Sequence, residues 1–214
     1  RVIELSHQYG IQVATYFSNK ELHPVTKDYQ EHSEQWGRKP DDTGKLHHNR
    51  TDHGEFGVQM CLKSGWLGAL ERNIDTVLKN HKLDGIYYDW NVALYCNNPL
   101  HVGKTSNGVT GQTGTLALSP TGHWDIDELL QLMEWTRARV GPKGQILLHN
   151  TMAPMFATEN FADRVVGMEW GYGLLSRSVP PVQELPLEWS FVGARSRGII
   201  GYGSVDKSAP PQIG

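Results

Sequence analysis

The chain has 214 residues and a mass of 24.0 kDa, room for one domain with a substantial core and too little for two ordinary ones. Lys and Arg total 20 against 23 Asp and Glu, a formal net charge of -3, so a nucleic-acid surface is not expected. A hydrophobic fraction of 38% and a charged fraction of 20% exclude a disordered chain, and no apolar run reaches the roughly 18–20 residues that cross a bilayer.

The chain opens at Arg1 inside a helical pattern, with no initiator Met, signal peptide or transit sequence, and reads as a segment of a longer protein. Val2, Leu5 and Tyr9 carry the apolar positions of a first helix, which Gly10 closes. Ile11 to Phe17 (IQVATYF) is β-branched and aromatic and predicts a strand. The stretch from Asn19 to Glu55, rich in His, Asp, Asn and Gly, predicts a long polar loop. Leu67, Leu70, Ile74, Val77 and Leu78 then repeat at helical spacing between Trp66 and His81. The second strand, IYYDW, follows Asp84-Gly85, and a loop rich in Asn, Gly and Thr spans Asn91 to His123. Asp125 with Glu128 three residues on predicts a capping box ahead of a helix that Gly141-Pro142 ends. Gln145 to His149 (QILLH) is the third strand, a short helical piece covers Phe156 to Phe161, and Val165 to Trp170 (VVGMEW) is the fourth strand. A helix from Pro186 to Arg197 and a fifth strand, Ile199 to Tyr202, complete the series.

Alternation of strand and helix predicts a parallel sheet covered by helices. A doubly wound sheet usually carries a Gly-rich phosphate turn, and neither GxGxxG nor GxxxxGK[ST] occurs here. A (β/α)₈ barrel gathers chemistry at the C-terminal ends of several strands. Polar and aromatic residues cluster at those ends: Ser18-Asn19, Asp89-Trp90-Asn91, His149-Asn150, Glu169-Trp170 and Tyr202. The expected fold is therefore an α/β (β/α)₈ TIM barrel present as an incomplete central fragment of about five strands, one catalytic domain over residues 1–214. Flanking segments of a longer chain are needed to close it, and on its own it would leave open sheet edges.

Asp89 stands at the end of a buried strand, where a carboxylate is costly without partners or a function. Glu169 ends another strand beside Trp170 and Tyr172. Two carboxylates on one barrel face, each next to Trp, are the pair that glycosidic hydrolysis requires, one as nucleophile or base and one as acid. Asn19, Trp90, Asn91, His149, Asn150, Trp170 and Tyr172 are the expected substrate contacts, the rings as platforms for a sugar face and the amides and imidazole for hydroxyl groups. No metal or cofactor is expected. His47, His48, Asp52 and His53 lack HExxH order and read as a solvated loop or substrate-facing rim. Cys61 and Cys96 lack CxxC spacing, so they read as buried free thiols rather than a zinc site. The stretch from Gly103 to Gly114 reads as a mobile loop over the site.

DGIYYDWN (Asp84 to Asn91), preceded by MCLKSGW (Met60 to Trp66), resembles the fourth-strand region of the retaining glycoside hydrolases that include α-galactosidases. HNTMAP (His149 to Pro154) and MEWGYG (Met168 to Gly173) are similar to the two strand ends that follow in that superfamily. The resemblance implies a carbohydrate substrate, Asp89 as nucleophile and Glu169 as acid/base. α-Galactosidases proper use an aspartate as acid/base, whereas endo-α-N-acetylgalactosaminidases, which this plan also resembles, pair Asp with Glu. A carbohydrate-binding barrel without catalysis and a metal-dependent hydrolase using the loop histidines are the alternatives.

Overall fold

The computed structural model describes residues 1–51, 54–101, 122–149 and 155–166. In chain order they form α1 (Val2–Gln8), β1 (Ala14–Ser18), β2 (Glu21–Leu22), α2 (Lys27–Trp36), β3 (His48–Thr51), β4 (Gly54–Gln59), α3 (Gly65–Asn80) and β5 (Gly85–Asp89). Then follow β6 (Tyr95–Cys96), β7 (His123–Trp124), α4 (Ile126–Val140), β8 (Gln145–His149), α5 (Phe156–Glu159) and β9 (Arg164–Val166).

Four strands make a parallel sheet in the order β1-β5-β8-β9, the order of the chain itself. A doubly wound sheet must reverse its strand order at some point; the four described strands show no reversal. The side chains explain the rest. Ile86, Tyr88, Ile146 and Leu148 are fully buried and join Leu70 and Ile74 of α3 and Leu129, Leu132 and Met133 of α4 in one core. Alternation along each strand turns Ala14, Tyr16, Gly85, Tyr87 and Leu147 to the opposite face, where they line a cavity of about 460 Å³. Helices on one face and sequential parallel strands are the repeating unit of a (β/α) barrel. Four strands of such a run are described; the expected fifth strand at 199–202 and the helix before it lie outside the described residues.

Ser64 caps α3 by accepting from Trp66 N–H at 3.1 Å; of its predicted apolar stripe Leu67, Leu70 and Ile74 are buried, and Val77 and Leu78 are half-buried. Four expectations need correction, the first being the loop from Asn91 to His123, which holds β6 paired with β7. The polar stretch from Asn19 to Glu55 is not one loop: it holds α2 and the three-stranded antiparallel sheet β2-β4-β3. Its helix, KDYQEHSEQW, buries only Trp36 and starts at the Thr26 cap, so no apolar stripe announces it. α1 buries none of its residues, leaving Val2 77% and Tyr9 76% exposed; His7 Nε2 ties it to Asp84 Oδ2 at 2.8 Å. Asp125 occupies the N-cap position of α4 without capping it. Its carboxylate instead accepts from Leu94 N–H at 2.8 Å and from Lys20 Nζ at 2.7 Å, in an ion pair with side chains 0% and 1% exposed. Among the described residues no helix is long and apolar enough to cross a membrane.

Candidate active site

The parallel register aligns Ser18 of β1 with Asp89 of β5, and β8 brings His149 alongside. The C-terminal ends of three strands therefore converge on one carboxylate. Asp89 Oδ1 accepts from His149 Nδ1 at 2.8 Å and from the Trp90 backbone N–H at 2.8 Å, while Oδ2 accepts from Tyr16 Oη at 2.8 Å. Against a carboxylate, His149 donates through Nδ1.

Burial pushes the Asp89 carboxyl upward, but the bonds from His149, Tyr16 and Trp90 N–H outweigh it and hold the group below the usual aspartate range. Burial, the bond to Asp89 and the Asp89 charge push the Tyr16 phenol up, keeping it protonated and a donor. Both shifts describe one state: an ionised, oriented Asp89 with its side chain 18% exposed.

Trp90 takes φ 56°, the left-handed region that bulky side chains avoid at a cost of about 1–3 kcal/mol. That turn aims its N–H back at Asp89 and starts a tight bend in which Val92 N–H reaches Trp90 O at 2.7 Å. Asn91 is buried and joined to β8 through its N–H to His149 O at 3.0 Å. Asn19, next to the end of β1, is also fully buried; its carbonyl accepts from Trp66 Nε1 at 2.9 Å, and its side-chain amide has no partner among the described residues.

Of the residues singled out in the sequence, Asn19, Asp89, Trp90, Asn91 and His149 come to one end of the sheet. Asn150, Glu169, Trp170 and Tyr172 lie outside the described residues, as does the stretch from Gly103 to Gly114. His47 Nε2 contacts Asn49 Oδ1 at 3.1 Å and His48 pairs with Glu55, while Asp52 and His53 are outside the described residues.

Two functional candidates are absent from the sequence reading. Tyr16 sits two residues before the end of β1, so its parity places it on the inner face, a signal the strand pattern IQVATYF already contained. Glu21 is the other. Its carboxyl bonds to Asn49 and is pushed up by burial first and by the Asp89 charge as well. Nothing in a two-residue strand within a polar stretch marks it from sequence.

No protein-family model matches this sequence, and no curated protein does. The described residues form a mixed α/β unit around a four-stranded parallel sheet, similar in fold to part of solved glycosidases built on (β/α) barrels. The α-N-acetylgalactosaminidase NagBb from Bifidobacterium bifidum is 13% identical, with a TM-score of 0.53 over 86% of this chain and 26% of its own. The α-galactosidase of Thermus thermophilus is 12% identical, with a TM-score of 0.50 over 78% of this chain and 31% of its own. Ega3 of Aspergillus fumigatus, solved with galactosamine, is 14% identical, with a TM-score of 0.54 over 99% of this chain and 69% of its own. The chain thus spans about a third or less of the two bacterial glycosidases, and at these identities the likeness is one of fold.

Proposed function

We propose that the chain carries the active site of a retaining glycoside hydrolase, in which Asp89 attacks the anomeric carbon and a second carboxyl group protonates the departing oxygen. The observation that carries this reading is the environment of Asp89. A nucleophile must be ionised and aimed, and three donors from three strand regions do both. In the first step the anomeric carbon gains a bond to an Asp89 oxygen and loses its bond to the leaving group, which takes a proton from the acid. Water then attacks the glycosyl ester, giving up its proton to the same group, now acting as base.

Glu169 is the proposed acid, from its place at a strand end beside Trp170 and Tyr172. Asn19, Trp90, Asn91 and Asn150 complete the sugar-binding rim. Glu21 supports a second assignment of the acid, because burial and the charge of Asp89 both favour its protonated form.

The test uses full-length protein and a panel of aryl α-glycosides, beginning with galacto-configured ones. A fluorinated glycoside that slows hydrolysis of the ester should leave its sugar on Asp89, found by peptide mass spectrometry, and the first-formed product should keep its anomeric configuration. Inversion, or labelling of another residue, would refute the assignment. Glu169→Gln should lose activity mainly on substrates with poor leaving groups; if Glu21→Gln shows that selectivity instead, the acid is Glu21.

A further inference from the structure

A second cluster of chemically capable side chains lies between the antiparallel elements. Cys61 stands between β4 and α3, Cys96 on β6 and His123 on β7, where Cys96 and His123 are cross-strand partners. Both cysteines are 1% exposed and unbridged. Cys61 Sγ lies 3.4 Å from His123 Nε2, and the two sulfurs and an imidazole nitrogen are all within 4.8 Å of one another. His101, itself buried, places Nδ1 3.4 Å from Cys96 Sγ. Its Nε2 lies 2.6 Å from the Gln35 carbonyl, so Nε2 carries the proton and Nδ1 presents a lone pair toward the sulfur.

We infer that Cys61, Cys96 and His123 form a structural zinc site, and that His101, whose Nδ1 stands against the Cys96 sulfur outside that close group of three, turns in from there as the fourth ligand when the ion binds. Zinc–sulfur bonds of about 2.3 Å and zinc–nitrogen bonds of about 2.0–2.1 Å make the S···N edge of a tetrahedron roughly 3.5 Å and its S···S edge roughly 3.8 Å. The observed Cys61–His123 edge already matches. Two sulfurs with two imidazoles in tetrahedral order are a zinc donor set. A ligating His commonly passes its other N–H to a backbone carbonyl, as His101 does to Gln35. Binding is a simple exchange: Zn²⁺ enters, two thiol protons leave to solvent, and the two thiolates balance the charge of the ion, so a buried site gains no net charge.

Such an ion would join the β4–α3 junction to the β6–β7 ladder, which lies directly after the segment carrying Asp89, Trp90 and Asn91. Its place is thus a brace under the loop layer, with no free coordination position for chemistry. The pattern is invisible to spacing rules because its ligands come from three separate segments.

Full-length protein purified without chelators should hold about one zinc per chain by elemental analysis. Cobalt exchanged into wild type should give thiolate-to-metal charge transfer in the near ultraviolet and the visible bands of a tetrahedral ion, a readout that requires no variant. Cys96→Ser and His123→Ala should each abolish stoichiometric zinc. His101→Ala should weaken retention in a chelator competition by about 10- to 100-fold. Thiol titration completes the test. Two thiols that stay reactive in wild type after equilibration with one equivalent of zinc, or a Cys61–Cys96 disulfide in the purified protein, would overturn the inference.

Discussion

Tyr87 and Tyr88 are neighbours in β5 and point to opposite faces of the same sheet. Tyr88 is fully buried; Thr136 Oγ1, 2.6 Å away, already donates to Leu132 O at 2.7 Å, so the phenol donates to Thr136 and closes a small polar chain inside the dry core. Tyr87 lines the open cavity on the inner face, beside Tyr16, whose hydroxyl serves Asp89. The helix-covered face puts its polar atoms to structural use and seals them from water. The inner face leaves aromatic area and a charged group accessible at its C-terminal edge. Burial on one side provides the rigidity that lets the other hold an ionised carboxylate in place.

Changes on the two faces should therefore separate activity from stability. Asp89→Asn should give the largest effect, a loss in kcat on the order of 10⁴-fold or more with little change in Tm; a loss of fold instead would mean that Asp89 is a structural residue. Leu148→Ala, on the other face, should cost about 2–5 kcal/mol in a denaturant titration. Residual folded protein should keep the wild-type kcat per folded molecule, and a specific loss of turnover would break the division between the faces.

Tyr16→Phe comes next. A hydrogen bond to a charged group contributes about 1.5–3 kcal/mol to stability, so a denaturant titration should show a loss of up to that size, and kcat should fall as Asp89 loses one of its three orienting donors. Its pH signature has a definite sign. The native Asp89 carboxyl is held below its ordinary range by His149, Tyr16 and Trp90 N–H, against its burial. Its contribution to stability is present at pH values above the unfolded aspartate pKa and is lost as pH falls through the native one. Removing the Tyr16 donor raises that native value, so the acid limb of kcat/KM should move to higher pH. An unmoved limb would separate Tyr16 from Asp89. Tyr88→Phe, the matching change across the sheet, should be the smallest: about 0.5–1.5 kcal/mol of stability and no change in the acid limb.

The elements legible from sequence were those whose side chains repeat a period. β5 and β8 read as apolar runs because Ile86 and Tyr88, and Ile146 and Leu148, are buried in the core with the helices, and α3 read as a stripe because its burial is one-sided. Asp89 stood out because a carboxylate ending such a run needs a reason. The antiparallel elements between 19 and 59 were not legible, since β2, β3 and α2 bury few apolar residues and are held by caps, ladder bonds and Trp36. Tyr16 and Glu21 were likewise invisible as partners of Asp89, because the pairing of β1 with β5, some 70 residues on, brings Tyr16 and the segment just after β1 to its side. The Asp125 capping box shows the opposite failure: the local pattern was real, but Lys20 and the Leu94 amide, both buried, claimed the carboxylate first.

By itself the sequence placed Asp89 and His149 at the ends of apolar strands, since side-chain type and local periodicity are properties of neighbouring residues. Only the tertiary structure decided which groups meet. It set His149, Tyr16 and the strained Trp90 amide around Asp89, and it brought Cys61, Cys96, His101 and His123 together from separate segments. Hydrogen bonding, charge and ligation fall off within a few ångströms, and distances of that size between remote residues are fixed by strand register and packing rather than by spacing along the chain.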